Sequence, residues 1–377
     1  MKLGELCLLF TDGDWIESKD QSDRSIRLIQ TGNIGNGEFL YKNDKAKYIS
    51  EDTFRRLNCT EVFPNDVLIS RLPEPVGRGC IIPDIGERMI TAVDCTVCRI
   101  NESLIDRKYF CYFLESNAYK IQLEQHVTGT TRKRISRKNL SSVEINLPEQ
   151  AKQKEIVYKL DRVKKIIQNY NRELDLLDEA VRARFVEMFG GINDSKVYSY
   201  KELNEITNII SGGTPKRDNL EYWENGTIPW VKTTELKNNI ITYVEEHITQ
   251  KGLSESSAKL VPQGTVLVAM YGQGKTRGMT AYLNVEASTN QACACILPSE
   301  NINSIYLWKY LEFSYSKLRS LAKGAGQPNL NVNMIKEFTI LVPPLNLQEE
   351  YASFVQEVDK SRLLSNHSLS LIKSITF

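Results

Sequence analysis

Between Lys152 and Phe189 the apolar residues fall at Ile156, Leu160, Val163, Ile167, Tyr170, Leu174, Leu177 and Val181, stepping 4, 3, 4, 3, 4, 3, 4. That spacing is the heptad repeat of a helix with one continuous apolar seam. Lys159, Arg162, Lys165, Asn169, Arg172 and Asp175 lie between the rungs and predict a solvated outer face. Neither Gly nor Pro interrupts the run, and Gly190-Gly191 stops it. At ~1.5 Å per residue such a helix is on the order of 55 Å long. A seam of that length needs a partner helix, because bare it would expose every rung to water. The plainer alternative is a core helix of one large domain, but core helices seldom run so far.

The flanking sequence alternates strand and helix signals. Residues 1–148 predict strands at 26–30, 66–70 and 92–100 and a helix at 109–125. Residues 190–196 read as a short polar linker. Residues 199–343 predict strands at 228–232, 265–270 and 291–297 and a helix at 306–321, and 345–377 is helical again. Laid on the first half, the second repeats it. Gly129 and Gly324, Ile135 and Leu330, Ser136 and Asn331, Leu140 and Ile335, Pro148 and Pro343, and Gln153 and Gln348 are all 195 apart. The step continues into the helices through Ile156 and Tyr351, Leu160 and Val355, and Val163 and Val358. Upstream, 66–70 answers 264–268 at a step of 198, so loop insertions account for the drift. The chain is a globular unit plus a long helix, written twice. The second helix is the poorer, with Arg362 and Ser365 in its seam, and its natural partner is the first. The expected fold is α+β, two repeated domains joined by two long antiparallel coiled-coil helices in a pseudo-twofold arrangement. The expected boundaries are 1–148, 149–190, 191–343 and 344–377.

Composition alters this picture little. The 377 residues, 41% hydrophobic and 25% charged, suit two or three folded domains and exclude a disordered or membrane-spanning chain. The apolar patch in MKLGELCLLF is cut off by Thr11–Asp14, too soon for a signal peptide. Eight cysteines without an export signal point to reduced thiols and a cytoplasmic location. A net charge of +1 does not announce a polyanionic partner, but binding depends on local patches.

Four enzymatic or metal readings fail on chemistry. Ala269–Thr276 nearly matches a phosphate-binding loop, yet Met279–Val285 reads as a strand where the motif needs a helix. Asp218 with Glu235-Leu236-Lys237 evokes a nuclease metal site without a further acid to complete it. A methyltransferase would need a glycine-rich cofactor loop and an Asn/Asp-Pro-Pro-aromatic motif, and Val342-Pro343-Pro344-Leu345 has only the prolines. Cys95, Cys98, Cys293 and Cys295 suggest zinc by number, but Cys95 and Cys293 are 198 apart on matching strands of the two repeats. Buried strand cysteines are the better reading.

The second half carries a specific series of motifs. Ile210-Ser211-Gly212-Gly213-Thr214-Pro215 is followed by Tyr222-Trp223 and Ile228-Pro229-Trp230-Val231-Lys232-Thr233. Then come Leu260–Val266, Thr289-Asn290-Gln291-Ala292, Gly324–Leu330 and Pro343-Pro344-Leu345 before Gln348. In this order the motifs resemble the specificity subunit of type I restriction-modification enzymes. The first half is more divergent, with Asp12-Gly13-Asp14 and Gln30-Thr31-Gly32-Asn33-Ile34 in place of the Ser-Gly-Gly-Thr-Pro stretch. The resemblance implies that each globular unit is a target recognition domain reading half of a split duplex DNA site. It implies that the two helices form a coiled coil setting the gap, with Ile156, Leu160, Val163, Ile167, Tyr170, Leu174 and Leu177 facing Tyr351, Val355 and Val358. It implies no catalysis and no cofactor in this chain. Two modification (methyltransferase) subunits would bind, carrying S-adenosylmethionine, and restriction subunits would join them. The physics agrees, since readers about one duplex turn apart, ~34–36 Å or a multiple, need a stiff spacer. Two alternatives remain at this point, a specificity partner of a fused nuclease-methyltransferase and a scaffold that binds protein rather than DNA.

Phosphate anchoring asks for Lys and Arg, and base reading for polar side chains. Thr130, Arg132, Lys133, Arg134, Arg137 and Lys138 lie in a run without an acid, shortly before the first long helix. The counterpart in the second half, 325–333, has no basic residue but offers Gln327, Asn329, Asn331 and Asn333, and Lys323 just before it is a further candidate. Gln273, Lys275 and Arg277 occupy a glycine-rich, carboxylate-free stretch, and Lys232 and Thr233 end a predicted strand. For each the plainer reading is a solvated turn, and for the asparagines a helix cap.

Overall fold

In the computed structural model, which describes residues 1–73, 75–192, 197–272, 274–322 and 328–376, the elements of the first half recur in the second. Two compact units result, Met1–Asn169 with Leu369–Phe377, and Tyr170–Ser368.

The first unit holds a four-stranded antiparallel sheet in the order Cys7–Asp12, Cys95–Ile100, Val67–Ser70, Gly79–Ile81. Its second sheet runs Gln21–Ser22, Tyr48–Ile49, Ile26–Ile29, Met89–Thr91, Glu61–Val62, with Ile26–Ile29 and Met89–Thr91 parallel. The second unit repeats the first sheet as Ile209–Ser211, Cys293–Ile296, Val266–Ala269, Thr280–Leu283, and adds Asn239–Ile241 at the edge. Its other sheet is His247–Ile248, Ile228–Val231, Ala287–Thr289, Leu260–Val261, and the middle pair is again parallel. Val67–Ser70 and Val266–Ala269 are buried at every position, which is why both read as short apolar runs without alternation. Cys95, Cys98, Cys293 and Cys295 are free thiols in the central strands, and burial pushes Cys95 up to about 12 and Cys295 up to about 11.

Each helix expected at 109–125 and 306–321 is two helices. Arg107–Glu115 ends at Ser116, whose hydroxyl donates to the Phe113 carbonyl (2.7 Å) and caps Asn117–Glu124 by accepting from the Tyr119 amide (3.2 Å). Ser314 marks the same break between Ser304–Phe313 and Tyr315–Ser320. The apolar period runs through both breaks, so it hides them. At Ser116 a serine hydroxyl that competes for backbone partners makes the break.

The first long helix spans Gln150–Phe189, 40 residues, and the second Leu345–Thr376, 32 residues. Ile156, Leu160, Val163, Ile167, Tyr170, Leu174 and Leu177 are half-buried and Val181 is buried, while Lys159, Arg162, Lys165 and Arg172 are exposed. Gly190, at φ +80°, accommodates the left-handed turn that ends the helix. Within the second unit the two helices run antiparallel. Arg184 pairs with Glu350 (2.6 Å), Tyr351 Oη donates to the Val181 carbonyl (3.1 Å), Arg362 pairs with Asp178, and Ser365 Oγ donates to Glu173 Oε1 (3.0 Å). Position falls along one helix as it rises along the other. Arg362 and Ser365 do sit in the seam, and both find partners across it.

Candidate nucleic-acid interface

At one end of the sheets, each unit stitches three segments together by main-chain bonds. In the first unit these are the hairpin loop after Val67–Ser70, the turn before Cys95–Ile100, and the loop leading to helix Arg137–Ser141. The Arg71 amide donates to the Asp94 carbonyl (2.8 Å) and the Ile135 amide to the Arg71 carbonyl (3.2 Å). In the second unit the Met270 amide donates to Ala292 (2.8 Å) and the Leu330 amide to Met270 (3.0 Å). Ile135 and Leu330, paired by the repeat, are both buried and act as anchors.

In the first unit the anchored loop carries the charge. Thr128 and Arg134 exchange both backbone hydrogen bonds (2.9 Å each), closing a short excursion from the fold. Thr130, Arg132, Lys133 and Arg134 are exposed on it. Arg137 and Lys138 are exposed on the helix capped by Ser136, and Arg137 Nη1 donates to Thr11 Oγ1 (3.3 Å). The neighbouring hairpin loop is held by side chains. Arg78 donates to the carbonyls of Thr31, Ile34, Pro73 and Pro75 (2.7–2.9 Å), and Tyr119 Oη donates to Gly77 O (2.9 Å). The Arg78 charge is thereby satisfied by dipoles and fixes the loop.

The second unit uses the same scaffold with other side chains. Lys275 is exposed on the hairpin loop, its carbonyl held by Tyr315 Oη (2.7 Å), and Gly274, at φ +67°, has open space around it. Arg277 is half-buried and its guanidinium donates to the Pro328 carbonyl, which ties the hairpin loop to the segment holding Asn329. Strand Thr280–Leu283 follows, where nucleotide binding would need a helix. Asn331 caps helix Val332–Lys336 through the Met334 amide (3.0 Å). Gln273, Lys323 and Gln327 lie outside the described residues.

Lys232 and Thr233 follow strand Ile228–Val231 as expected, but the Lys232 ammonium pairs with Glu246 (2.9 Å). Arg217 pairs with the same carboxylate and stacks over Trp223 (3.8 Å) and Trp230 (4.6 Å). The hydrogen bond to Glu246 raises the Lys232 pKa. Burial opposes ionisation of Glu246, yet its two cationic partners hold it below the usual carboxylate range. Thr233 Oγ1 accepts from Asn290 Nδ2 (3.3 Å), and Thr214 Oγ1 donates to Gln291. Thr214, Asn290 and Gln291 thus join this end of the unit, although the sequence reading singled out none of them as a contact. Their signal was present in the Ile210–Pro215 and Thr289–Ala292 motifs, the second of which ends on the anchoring Ala292 carbonyl.

Glycine spacing explains the matching geometry. A Cβ on Gly13 would lie 2.4 Å from the Thr91 carbonyl oxygen, and one on Gly212 would lie 2.3 Å from that of Thr289. Asp12-Gly13-Asp14 therefore fills the place of Gly212-Gly213, close against the parallel strand of its own unit.

A family model described as the type I restriction modification DNA specificity domain matches residues 1–178 and 196–374. The EcoR124I/EcoR124II specificity subunit of Escherichia coli is 26% identical over 72% of this chain, and the match spans 66% of that subunit's length. The MjaIX specificity subunit of Methanocaldococcus jannaschii is 20% identical over 93% of this chain and 84% of its own. Among solved structures, the S subunit of a type I restriction-modification system from M. genitalium superposes with a TM-score of 0.58 at 15% identity, covering 100% of this chain and 93% of that one. A chain solved in work on assembly of the type I R-M system gives 0.59 at 16% identity, covering 100% and 94%.

Proposed function

The chain belongs to the type I restriction-modification DNA specificity family, and from that membership we propose that it reads a split duplex DNA site, one half with each unit. Residues 1–148 and 191–343 are the readers, and the long helices at 149–190 and 344–377 set the gap between half-sites. The observation that carries this reading is the duplicated stitching of three loops at the end of the sheets. Arg71, Asp94 and Ile135 do in one unit what Met270, Ala292 and Leu330 do in the other. A repeated frame with divergent exposed side chains suits two readers that share a docking geometry and differ in the bases they recognise. Arg132, Lys133, Arg134, Arg137, Lys138 and Lys275 anchor phosphates. Thr130, Thr233 and Asn329 are positioned near bases, and Lys232 contributes if DNA phosphate replaces Glu246.

The chain supplies recognition without catalysis, in the cytoplasm. Two methyltransferase subunits hold S-adenosylmethionine and act on the bound site, and restriction subunits complete the assembly. Co-expression with the methyltransferase followed by genome-wide mapping of modified bases tests this. The expected motif has two short specified parts separated by a fixed unspecified gap. Removing one heptad from the first long helix should change the gap and leave both parts intact. A contiguous motif, or a gap indifferent to that deletion, would overturn the reading.

A further inference from the structure

Each long helix begins with the same buried amide. Gln153 and Gln348 are each the fourth residue of their helix, and each is 1% exposed. Gln153 Oε1 accepts from the Asp106 amide (2.8 Å) and its Nε2 donates to the Pro148 carbonyl (2.8 Å). Gln348 Oε1 accepts from the Asn303 amide (2.8 Å) and its Nε2 donates to the Pro343 carbonyl (2.8 Å). Asp106 and Asn303 are the N-caps of helices Arg107–Glu115 and Ser304–Phe313. One side chain therefore fastens three things: the start of a short helix in the globular body, the proline segment entering the long helix, and the long helix itself.

The chemistry of this position is narrow. A single group must accept from an N–H and donate to a C=O, which a primary amide does and a carboxylate or a thioether does not. The partners are main-chain groups, partly buried at Gln153 and at the Asn303 amide and fully buried at Pro343, so their bonds are directional and costly to lose. A packed apolar residue would fill the volume but would let the helix pivot.

We infer that Gln153 and Gln348 are positioning residues for the half-site gap, each fixing the direction in which a long helix leaves its own unit. This rests on the reading of the units as half-site readers. Neither glutamine reaches the surface, so replacing one leaves every exposed side chain of the reading loops unchanged. Half-site sequence and gap preference are then separable, and the clamp controls only the second.

The test uses the full chain purified with its methyltransferase. Binding is measured on duplexes carrying both wild-type half-sites at the preferred gap and at gaps one base pair shorter and longer. A wild type with no gap preference sinks the functional reading before any variant is made. Given a wild-type preference, Gln153→Met and Gln348→Met should each erode it by about tenfold or more, with the mapped half-site sequences unchanged. A folded variant that keeps its preference to within less than about tenfold, even with weaker binding at every gap, overturns the clamp. Where a Met variant no longer melts cooperatively, Gln→Asn is measured instead and judged by the same threshold. It keeps the amide but withdraws it by one methylene.

Discussion

In the first unit the long helix meets helix Arg107–Glu115 through charge. Lys108 and Tyr112 Oη both bond Asp161 (2.7 and 2.6 Å), and Lys164 pairs with Glu115 (2.7 Å) while its ammonium lies over the Tyr112 ring (4.6 Å). In the second unit helix Ser304–Phe313 meets the long helices through rings. Phe185 contacts Phe189, Tyr306, Phe313 and Tyr351 at centroid separations of 5.2 to 5.9 Å, and Phe189 contacts Tyr306 and Tyr351 as well. The order of the strands common to both, the loop stitching and the glutamine clamps are the same, and in the four- and five-stranded sheets the units differ by one added edge strand each, Gln21–Ser22 in the first and Asn239–Ile241 in the second. Apart from the two clamp glutamines, what the copies share is main-chain hydrogen bonding, and what they have let drift is side-chain chemistry. Main-chain bonds fix geometry whatever the neighbouring residues, so a duplicated reader can change its junctions and its loops without losing its frame.

The comparison breaks most visibly at Phe185, which is 1% exposed at the centre of the aromatic junction. Phe185→Ala should cost about 3–5 kcal/mol. Hydrogen exchange should show the loss in helix Ser304–Phe313 and spare Arg107–Glu115. Equal loss in both would mean that the units are not energetically separate. The reading loops come next. Replacing Arg132 and Arg134 by Ala should flatten the dependence of log affinity on log salt by roughly two, and Lys275→Ala by roughly one. A larger effect from Lys275 would relocate the main phosphate anchor to the second unit. The third effect is smaller. Asn331→Ala removes the cap of helix Val332–Lys336 and should cost about 1 kcal/mol of stability, with no change in the bases read. A changed half-site in the mapped modification pattern would make Asn331 a reader instead.

The seam was legible because it depends only on where apolar residues fall, and seven of its eight rungs proved half-buried and the eighth buried. The repeat was legible because glycine, proline and glutamine recur at fixed offsets in the two halves. Arg362 and Ser365 looked like defects in the second seam, since their partners Asp178 and Glu173 are far away in sequence. Parallel pairing of Ile26–Ile29 with Met89–Thr91 was invisible for the same reason. The breaks at Ser116 and Ser314 were hidden by an apolar period that continues through them. The candidate loops could be found one by one from basic and glycine-rich runs. Their union could not, because main-chain bonds such as Ile135 to Arg71 leave no mark on residue type. Lys232 shows the opposite limit. Its position was read correctly from the strand, but its pairing with Glu246 depends on a neighbour brought close by the antiparallel strand His247–Ile248.

The smallest effect separates the two junctions by pH. Burial opposes ionisation of Asp161, but the hydrogen bonds from Lys108 and Tyr112 outweigh it and hold its pKa below the usual carboxylate range. A depressed pKa in the folded state means that this contribution is fully present above about pH 4 and is lost as pH falls through the folded value. The Asp161 side chain is 40% exposed, so solvent screening limits the contribution to below ~1 kcal/mol. In the aromatic junction, burial raises the hydroxyls of Tyr306, Tyr310 and Tyr351, Tyr310 to about 12, so none of them titrates under acid conditions. Lowering the pH from about 7 to about 3 should therefore weaken exchange protection of Arg107–Glu115 more than that of Ser304–Phe313. Asp161→Asn retains an acceptor for Tyr112 and removes the charge, so it should be slightly less stable at neutral pH and should narrow the acid-induced difference between the two helices. If the difference persists undiminished in Asp161→Asn, the acid sensitivity of the first junction comes from another group, with the Glu115–Lys164 pair the next to replace.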